Sequence, residues 1–128
     1  MNSLSEYKDI ISEVVFSLNQ LTEKALFKNI SRKNIIWDPG LGFSKDTKQN
    51  IEILKNLNEF KKSSFPLLIG ASRKRFIGEI INENNPKKRD IGSLAITSLC
   101  SALNLHAVRV HNVKMHSELL KVSDKIYR

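Results

Sequence analysis

Three short apolar runs, each closing on a glycine or a charged residue and each followed by a helix-spaced segment, constrain this chain most. Asn34-Ile35-Ile36-Trp37 stops at Asp38-Pro39-Gly40. Pro66-Leu67-Leu68-Ile69 stops at Gly70. Ala107 to His111 alternates apolar residues with Arg109 and His111. Runs this short, bounded by turn residues, predict buried strands. Pro66 at the start of its run removes no ladder donor. Before the first run, Ile10, Ile11, Val14, Val15, Leu18, Leu21 and Ala25 recur at three- and four-residue steps, predicting a helix over 4–27. Ser3 and Glu6 have the spacing of a capping box. Asp46 or Thr47 is expected to cap a helix through Phe60 that buries Ile51, Leu54 and Leu57. A helix is expected over Ser72–Ile81, then a polar loop containing Pro86. Asp90 is expected to cap a helix carrying Ile91, Leu94, Ala95, Leu99, Ala102 and Leu103, with Asn104 in the left-handed conformation that ends it. Met115, Leu119, Val122 and Ile126 stripe a last helix. The order α-β-α-β-α-β-α predicts an α/β fold with parallel strands and helical crossovers, in one domain over 1–128.

Composition narrows the function classes. With 41% hydrophobic and 27% charged residues the chain is globular rather than disordered. A single cysteine, Cys100, excludes an internal disulfide framework and a cysteine zinc site. No apolar run approaches the roughly 20 residues of a membrane span. Nor does the N-terminus read as a secretory signal, so no membrane and a cytoplasmic location are the default expectations. The 21 Lys and Arg against 13 Asp and Glu leave a net charge of +8. Such a surface suits anions, whether nucleic acid, anionic lipid or phosphorylated small molecules, or is simply solvated. The basic residues do not interleave with aromatic ones, which argues against nucleic acid.

Ligands in parallel α/β folds sit beyond the carboxyl ends of the strands. Asp38 stands at the first end, where a carboxylate could accept two parallel hydrogen bonds from an amidine-like edge, the pattern of guanidines and 2-aminopyrimidinones. Gly40 and Gly42 would let backbone approach a flat ligand. The same tripeptide also serves as an ordinary turn. Ser72, Arg73 and Lys74 follow the second strand, where Arg73 and Lys74 would hold a carboxylate or polarise a carbonyl, or else form an exposed cationic face. Arg109 and His111 share one face of the third strand, opposite Val108 and Val110, as a diphosphate clamp or a strand end meeting water. His106, His111 and His116 lack clear metal-ligand spacing, so no metal site is expected among the residues of this chain.

Taken in order, these segments resemble dihydropteroate synthase, an enzyme family of folate biosynthesis. Asp38-Pro39-Gly40-Leu41-Gly42-Phe43 is similar to that family's Asp-Pro-Gly-x-Gly-Phe, and Asn50 fits the asparagine that follows. Ser72-Arg73-Lys74-Arg75-Phe76-Ile77-Gly78 is similar to Ser-Arg-Lys-x-Phe-Ile-Gly. Arg89-Asp90-Ile91-Gly92-Ser93 resembles Arg-x-x-Gly-Thr, with Ser for Thr, and Arg109-Val110-His111 matches Arg-Val-His. Asn112 stands where the family has Asp.

The resemblance implies part of a TIM (β/α)8 barrel, about three parallel strands matching its sixth to eighth, as the C-terminal part of a pterin-binding domain. It implies a transferase that joins p-aminobenzoate to 6-hydroxymethyl-7,8-dihydropterin diphosphate, giving 7,8-dihydropteroate and diphosphate. Lys74, Arg109 and His111 would be catalytic. Substrate would meet Asp38, Phe43, Gly70, Ser72, Arg73, Lys74, Arg109, Val110 and His111: Asp38 at the pterin edge, Phe43 and Gly70 around it, Ser72 near the aminobenzoate carboxylate, Arg109 and His111 at the diphosphate. Magnesium is the implied cofactor, its protein ligand lying in N-terminal strands with no counterpart here. Partners implied are the two substrates and either a second copy or a complementing N-terminal half, with no nucleic acid. A catalytically inactive remnant, a basic nucleic-acid-binding module and a methyltetrahydrofolate-binding protein are the alternatives.

Overall fold

The computed structural model describes residues 4–128. Helix α1 runs from Leu4 to Phe27, as its periodicity requires. Ser3 of the expected capping box lies outside the described residues. The helix packs inward through Ile10, with Ile11, Val14, Val15 and Leu18 against the same core; Leu21, expected in that stripe, is instead 61% exposed, and Thr22 takes the inward position. Thr22 ties it to the first apolar run: its hydroxyl donates to the Leu18 carbonyl at 2.7 Å and accepts the Trp37 indole N–H at 2.9 Å.

That first run does not form a full strand. Arg32–Asn34 makes a 3-10 turn, and only Trp37 pairs with Leu67, in parallel. Trp37 donates to the Pro66 carbonyl and accepts from Leu68. Ile36 is left 58% exposed, so the run gains apolar contact mainly through Trp37, which is buried and stacked on Phe65. Two strands follow, β1 at Leu68–Ile69 and β2 at Ala107–Val108, paired in parallel with Leu68 opposite Ala107. Three strands were expected; the described sheet has two, with the Trp37 bridge along β1.

Helix α2 spans Thr47–Lys55, and Asp46 and Gln49 close a reciprocal capping box at its start. It breaks at Asn56, whose side chain turns back to Glu52, and α3 resumes over Leu57–Lys61. The single helix expected through Phe60 is therefore two. Its buried stripe is also displaced: Ile53, Leu57 and Phe60 lie fully inside, whereas Ile51 and Leu54 are half-buried.

Helix α4 covers Arg75–Ile81 rather than starting at Ser72, because Arg73 adopts the left-handed conformation with φ 60°. Asn82 ends it in that same conformation. After a 3-10 turn at Pro86–Lys88, α5 runs over Asp90–Ala102. Asp90 makes no cap, since its carboxylate is engaged by Arg73. Helix α6 covers Val113–Tyr127, capped by the Asn112 side chain at Met115 N–H. The α5–α6 contact is polar where an apolar stripe was expected. Ser93, Thr97, Ser101, His116 and Ser123 are buried, while Ile91, Val122 and Ile126 are 65% exposed or more.

The apolar core gathers Trp37, Leu41, Ile53, Leu57, Phe60, Phe65, Leu67, Ile69, Phe76, Ile77 and Cys100 between α1, α2, α3, α4, α5 and the sheet. It holds the carboxyl ends of Trp37, β1 and β2 side by side, where the three motifs emerge.

Candidate functional site

The turn after Trp37 is built around Asp38. Its Oδ1 accepts the Gly40 N–H at 2.9 Å, folding the chain back at once. Gly40 and Gly42 have φ of 72° and 86°, a region that favours glycine. Gly42 is further required by space, since a Cβ there would lie 2.9 Å from the Lys74 Cδ. Two side chains brace the turn from outside. Asn50, buried on α2, accepts the Gly42 N–H at 2.8 Å. Lys45 donates to the carbonyls of Gly40 at 2.7 Å and Phe43 at 3.0 Å.

Lys74 reaches across from the end of β1. It donates to the Leu41 carbonyl and lies 4.6 Å from the Phe43 ring centroid, a cation over a π face. Burial holds its pKa below the ordinary lysine value, and Arg109 and Lys45 push the same way, with Asp38 opposing. Lys45 is likewise lowered by burial, against the pull of Asp38.

Arg109 arrives from β2. Its Nη1 donates to Asp38 Oδ2 at 3.1 Å. The guanidinium lies over Gly70, where a Cβ would overlap it. Arg109 is not the buried arginine that a strand position suggests; its side chain is 56% exposed. Ser72 sits beside this pair. Its hydroxyl meets His111 Nδ1 at 2.9 Å and accepts the His111 N–H at 3.1 Å, so the second and third strand ends are stitched together.

The structure thus brings Asp38, Lys74 and Arg109 into one cluster, with Gly70 under Arg109 and Ser72–His111 alongside. Phe43 stands at its edge, 67% exposed, and Val110 is half-buried on the other side of β2. Arg73 is directed elsewhere. Its guanidinium grips Asp90 through two bonds, at 2.9 and 3.2 Å, and its N–H donates to Ser93. Arg89 locks this corner by donating to the carbonyls of Arg73, Glu83 and Asn84. A cleft of about 460 Å³ opens on the outer side of Lys74, between Phe43, Lys45, Arg75, Phe76 and Glu79.

Sequence reasoning missed Lys45 as a member of the cationic rim, although it closes the glycine segment. It also missed the bracing roles of Asn50, Arg89 and Ser93, which depend on contacts across 5 to 20 residues. Among the described residues no group of three or more His, Cys, Asp or Glu is placed to hold a metal ion. Asp38, the acid of the cluster, is already held by Arg109 and Gly40. The described residues of the cluster therefore offer magnesium one carboxylate, and that one is paired with Arg109.

The profile of pterin-binding enzymes matches residues 1–111. The chain belongs to that family. It is 38% identical over 128 residues to the dihydropteroate synthase of Synechocystis, covering 100% of this chain and 44% of the relative. It is 36% identical over 116 residues to the dihydropteroate synthase of Haemophilus influenzae, covering 91% and 42%. The solved dihydropteroate synthase of Xanthomonas albilineans, in complex with 7,8-dihydropteroate, superposes with a TM-score of 0.89 at 32% identity over 92% of this chain and 45% of that one. The chain spans less than half the length of these relatives. Among its described residues no helix is long and apolar enough to cross a membrane.

Proposed function

We propose that residues 1–128 form the C-terminal part of a dihydropteroate synthase site. The described βα units would be the sixth to eighth of a (β/α)8 barrel. The observation that carries this is the meeting of Asp38, Lys74 and Arg109 at the carboxyl ends of neighbouring parallel segments. The rim combines one carboxylate, suited to a 2-aminopyrimidinone edge, with cations suited to a diphosphate.

In the proposed reaction the amine of p-aminobenzoate attacks the methylene carbon of the pterin diphosphate. A C–N bond forms as the C–O bond to diphosphate breaks, the bonding pair leaves with diphosphate, and the amine loses a proton to solvent. Asp38 orients the heterocycle and Gly70 leaves room for it. Arg109 and His111 meet the charge that grows on the leaving oxygen, as pre-placed donors do most effectively. Lys74 would contact the pterin and the incoming amine, whose aromatic ring fits beside Phe43 in the neighbouring cleft. Alignment rather than a strong base is what a neutral amine needs. No step is assigned to magnesium. The relatives' greater length supports a site completed by further strands, from a complementing segment, and a second copy remains a candidate partner. A nucleic-acid surface is less favoured, because Arg73, Arg89 and Arg109 are all engaged by internal acceptors.

The test is diphosphate release by the purified chain, alone and mixed with the N-terminal portion of the Synechocystis relative. Release that requires both substrates supports the reading, and its absence from the mixture overturns it. In the active form, Asp38→Asn should weaken pterin binding, and Lys74→Ala and Arg109→Ala should each cost about 1.5–3 kcal/mol of ligand affinity, the scale of a charged hydrogen bond. Calorimetry reads all three; losses within titration error count against the assignments.

A further inference from the structure

We propose that Asp38 and Arg109 form a latch that couples two halves of the ligand site: the heterocycle releases Arg109 when it takes Asp38, and the freed guanidinium then takes the diphosphate. The inference rests on the roles proposed above for these two residues. Those roles put them at opposite ends of one ligand, yet the structure joins them directly, Nη1 to Oδ2, at 3.1 Å. The other carboxylate oxygen accepts the Gly40 N–H. Each oxygen of Asp38 therefore already accepts one hydrogen bond, and an incoming 2-aminopyrimidinone edge, which needs both oxygens at once, competes with those donors for the carboxylate. Arg109 is the displaceable one, because it is a half-exposed side chain, whereas the Gly40 N–H is fixed by the turn. The neighbouring cations differ from it: Lys45 and Lys74 donate to the backbone carbonyls of Gly40, Phe43 and Leu41. Only the Arg109 donation is to the acid that the heterocycle needs.

Gly70 makes the latched position possible, since the guanidinium occupies the space that a Cβ there would fill. A guanidinium paired to a carboxylate presents less net charge to an anion than a free one. Competition for Asp38 thus becomes cooperation between heterocycle and diphosphate, and the linkage is reciprocal. Because the pair is partly exposed, the coupling should be modest, about threefold in each affinity.

The probes are pterin and inorganic pyrophosphate, titrated into the whole chain and followed by its amide NMR spectrum. In the wild type, saturating pterin should tighten pyrophosphate about threefold, and pyrophosphate should tighten pterin equally. Gly70→Ala leaves every charge in place but crowds Arg109 off Asp38. It should bind pyrophosphate about threefold tighter without pterin, a readout that does not depend on the room Gly70 leaves for the heterocycle. Asp38→Asn should also tighten pyrophosphate, but it removes a negative charge as well, so Gly70→Ala is the decisive variant. Independent binding of the two probes to the wild type would overturn the latch and leave the site assignment standing. So would a folded Gly70→Ala that binds pyrophosphate like the wild type. Failure of both probes to bind the wild type, alone and mixed with the N-terminal portion of the Synechocystis relative, would overturn the site assignment and the latch together.

Discussion

Lys74 shows how much a single side chain reports about its neighbours. Its pKa is lowered by burial first and by Arg109 next, so removing Arg109 takes away a nearby positive charge and the lysine should titrate higher. NMR titration of the Lys74 side chain in Arg109→Ala checks this, and an unmoved or lower value would separate the two residues. Cys100 is the opposite case, a group hidden from chemistry. Burial pushes its thiol up to about 12, and only 3% of the residue is exposed. The reactive thiolate is then scarce near neutrality. A thiol reagent at pH 8 should label it only as fast as the protein unfolds, and faster labelling without denaturant would contradict its placement. At the other end of α2, Asp46 supplies both its own cap and half of the capping box. Asp46→Ala should cost about 1 kcal/mol in chemical denaturation.

At the scale of elements, the α3 anchor and the α5–α6 seam behave differently. Phe60 is fully buried in the apolar core, so Phe60→Ala should cost about 3–5 kcal/mol, read from the same denaturation curves. The seam is held instead by hydrogen bonds, Thr97 to His116 Nδ1 at 2.8 Å and Ser101 to Asp124 at 2.6 Å. His116 Nε2 is buried without a partner among the described residues, and burial lowers its pKa below the ordinary 6.5. The sign of its pH effect follows. Below pH 6.5 the unfolded chain binds a proton that the folded chain still refuses, so stability falls as pH falls. Asp90, held below the ordinary carboxylate range by Arg73, adds a second loss further down in acid. His116→Gln should flatten the decline in stability between pH 7 and 5.5. An unchanged slope would show that His116 is not its source.

For the whole molecule, the decisive fact is how much apolar surface the described fold leaves outside. Phe27 is 86% exposed, Ile91 74%, Ile126 71% and Val122 65%. A second, larger opening of about 800 Å³ lies between β2 and α6, where Val110, Val113 and Leu120 meet Lys121 and Lys125. Surfaces of this kind mark contacts with further protein. The chain alone should therefore bind a hydrophobic dye more strongly than the longer dihydropteroate synthases do, which fluorescence titration compares directly.

Much of this was legible beforehand, and the residues show why. The α1 stripe, the Asp46 cap, the left-handed Asn104 and the two glycines at the turn after Asp38 all express local rules, in which a residue and its near neighbours decide the backbone. The four ordered motifs named the family, because a shared ancestor leaves the chemistry-bearing residues at the strand ends in the same order. The failures are all long-range. Ile36 and Trp37 look alike as apolar residues, but only Trp37 finds Leu67 and Phe65. Ser72–Lys74 has helical composition, yet the bonds from Arg73 to Asp90 and Ser93 hold it in a turn. Val122 and Ile126 were expected in the buried stripe of α6, but both lie exposed and His116 and Ser123 are buried in their place. By itself the sequence determined most of the helices, the family, and Asp38, Lys74 and Arg109 of the rim but not Lys45, since propensity, capping and motif order act over a few positions. Only the tertiary structure decided which of those residues touch. Asp38 and Arg109 are 71 positions apart, and their pairing depends on how β2 lies beside β1, with Trp37 on β1's other side.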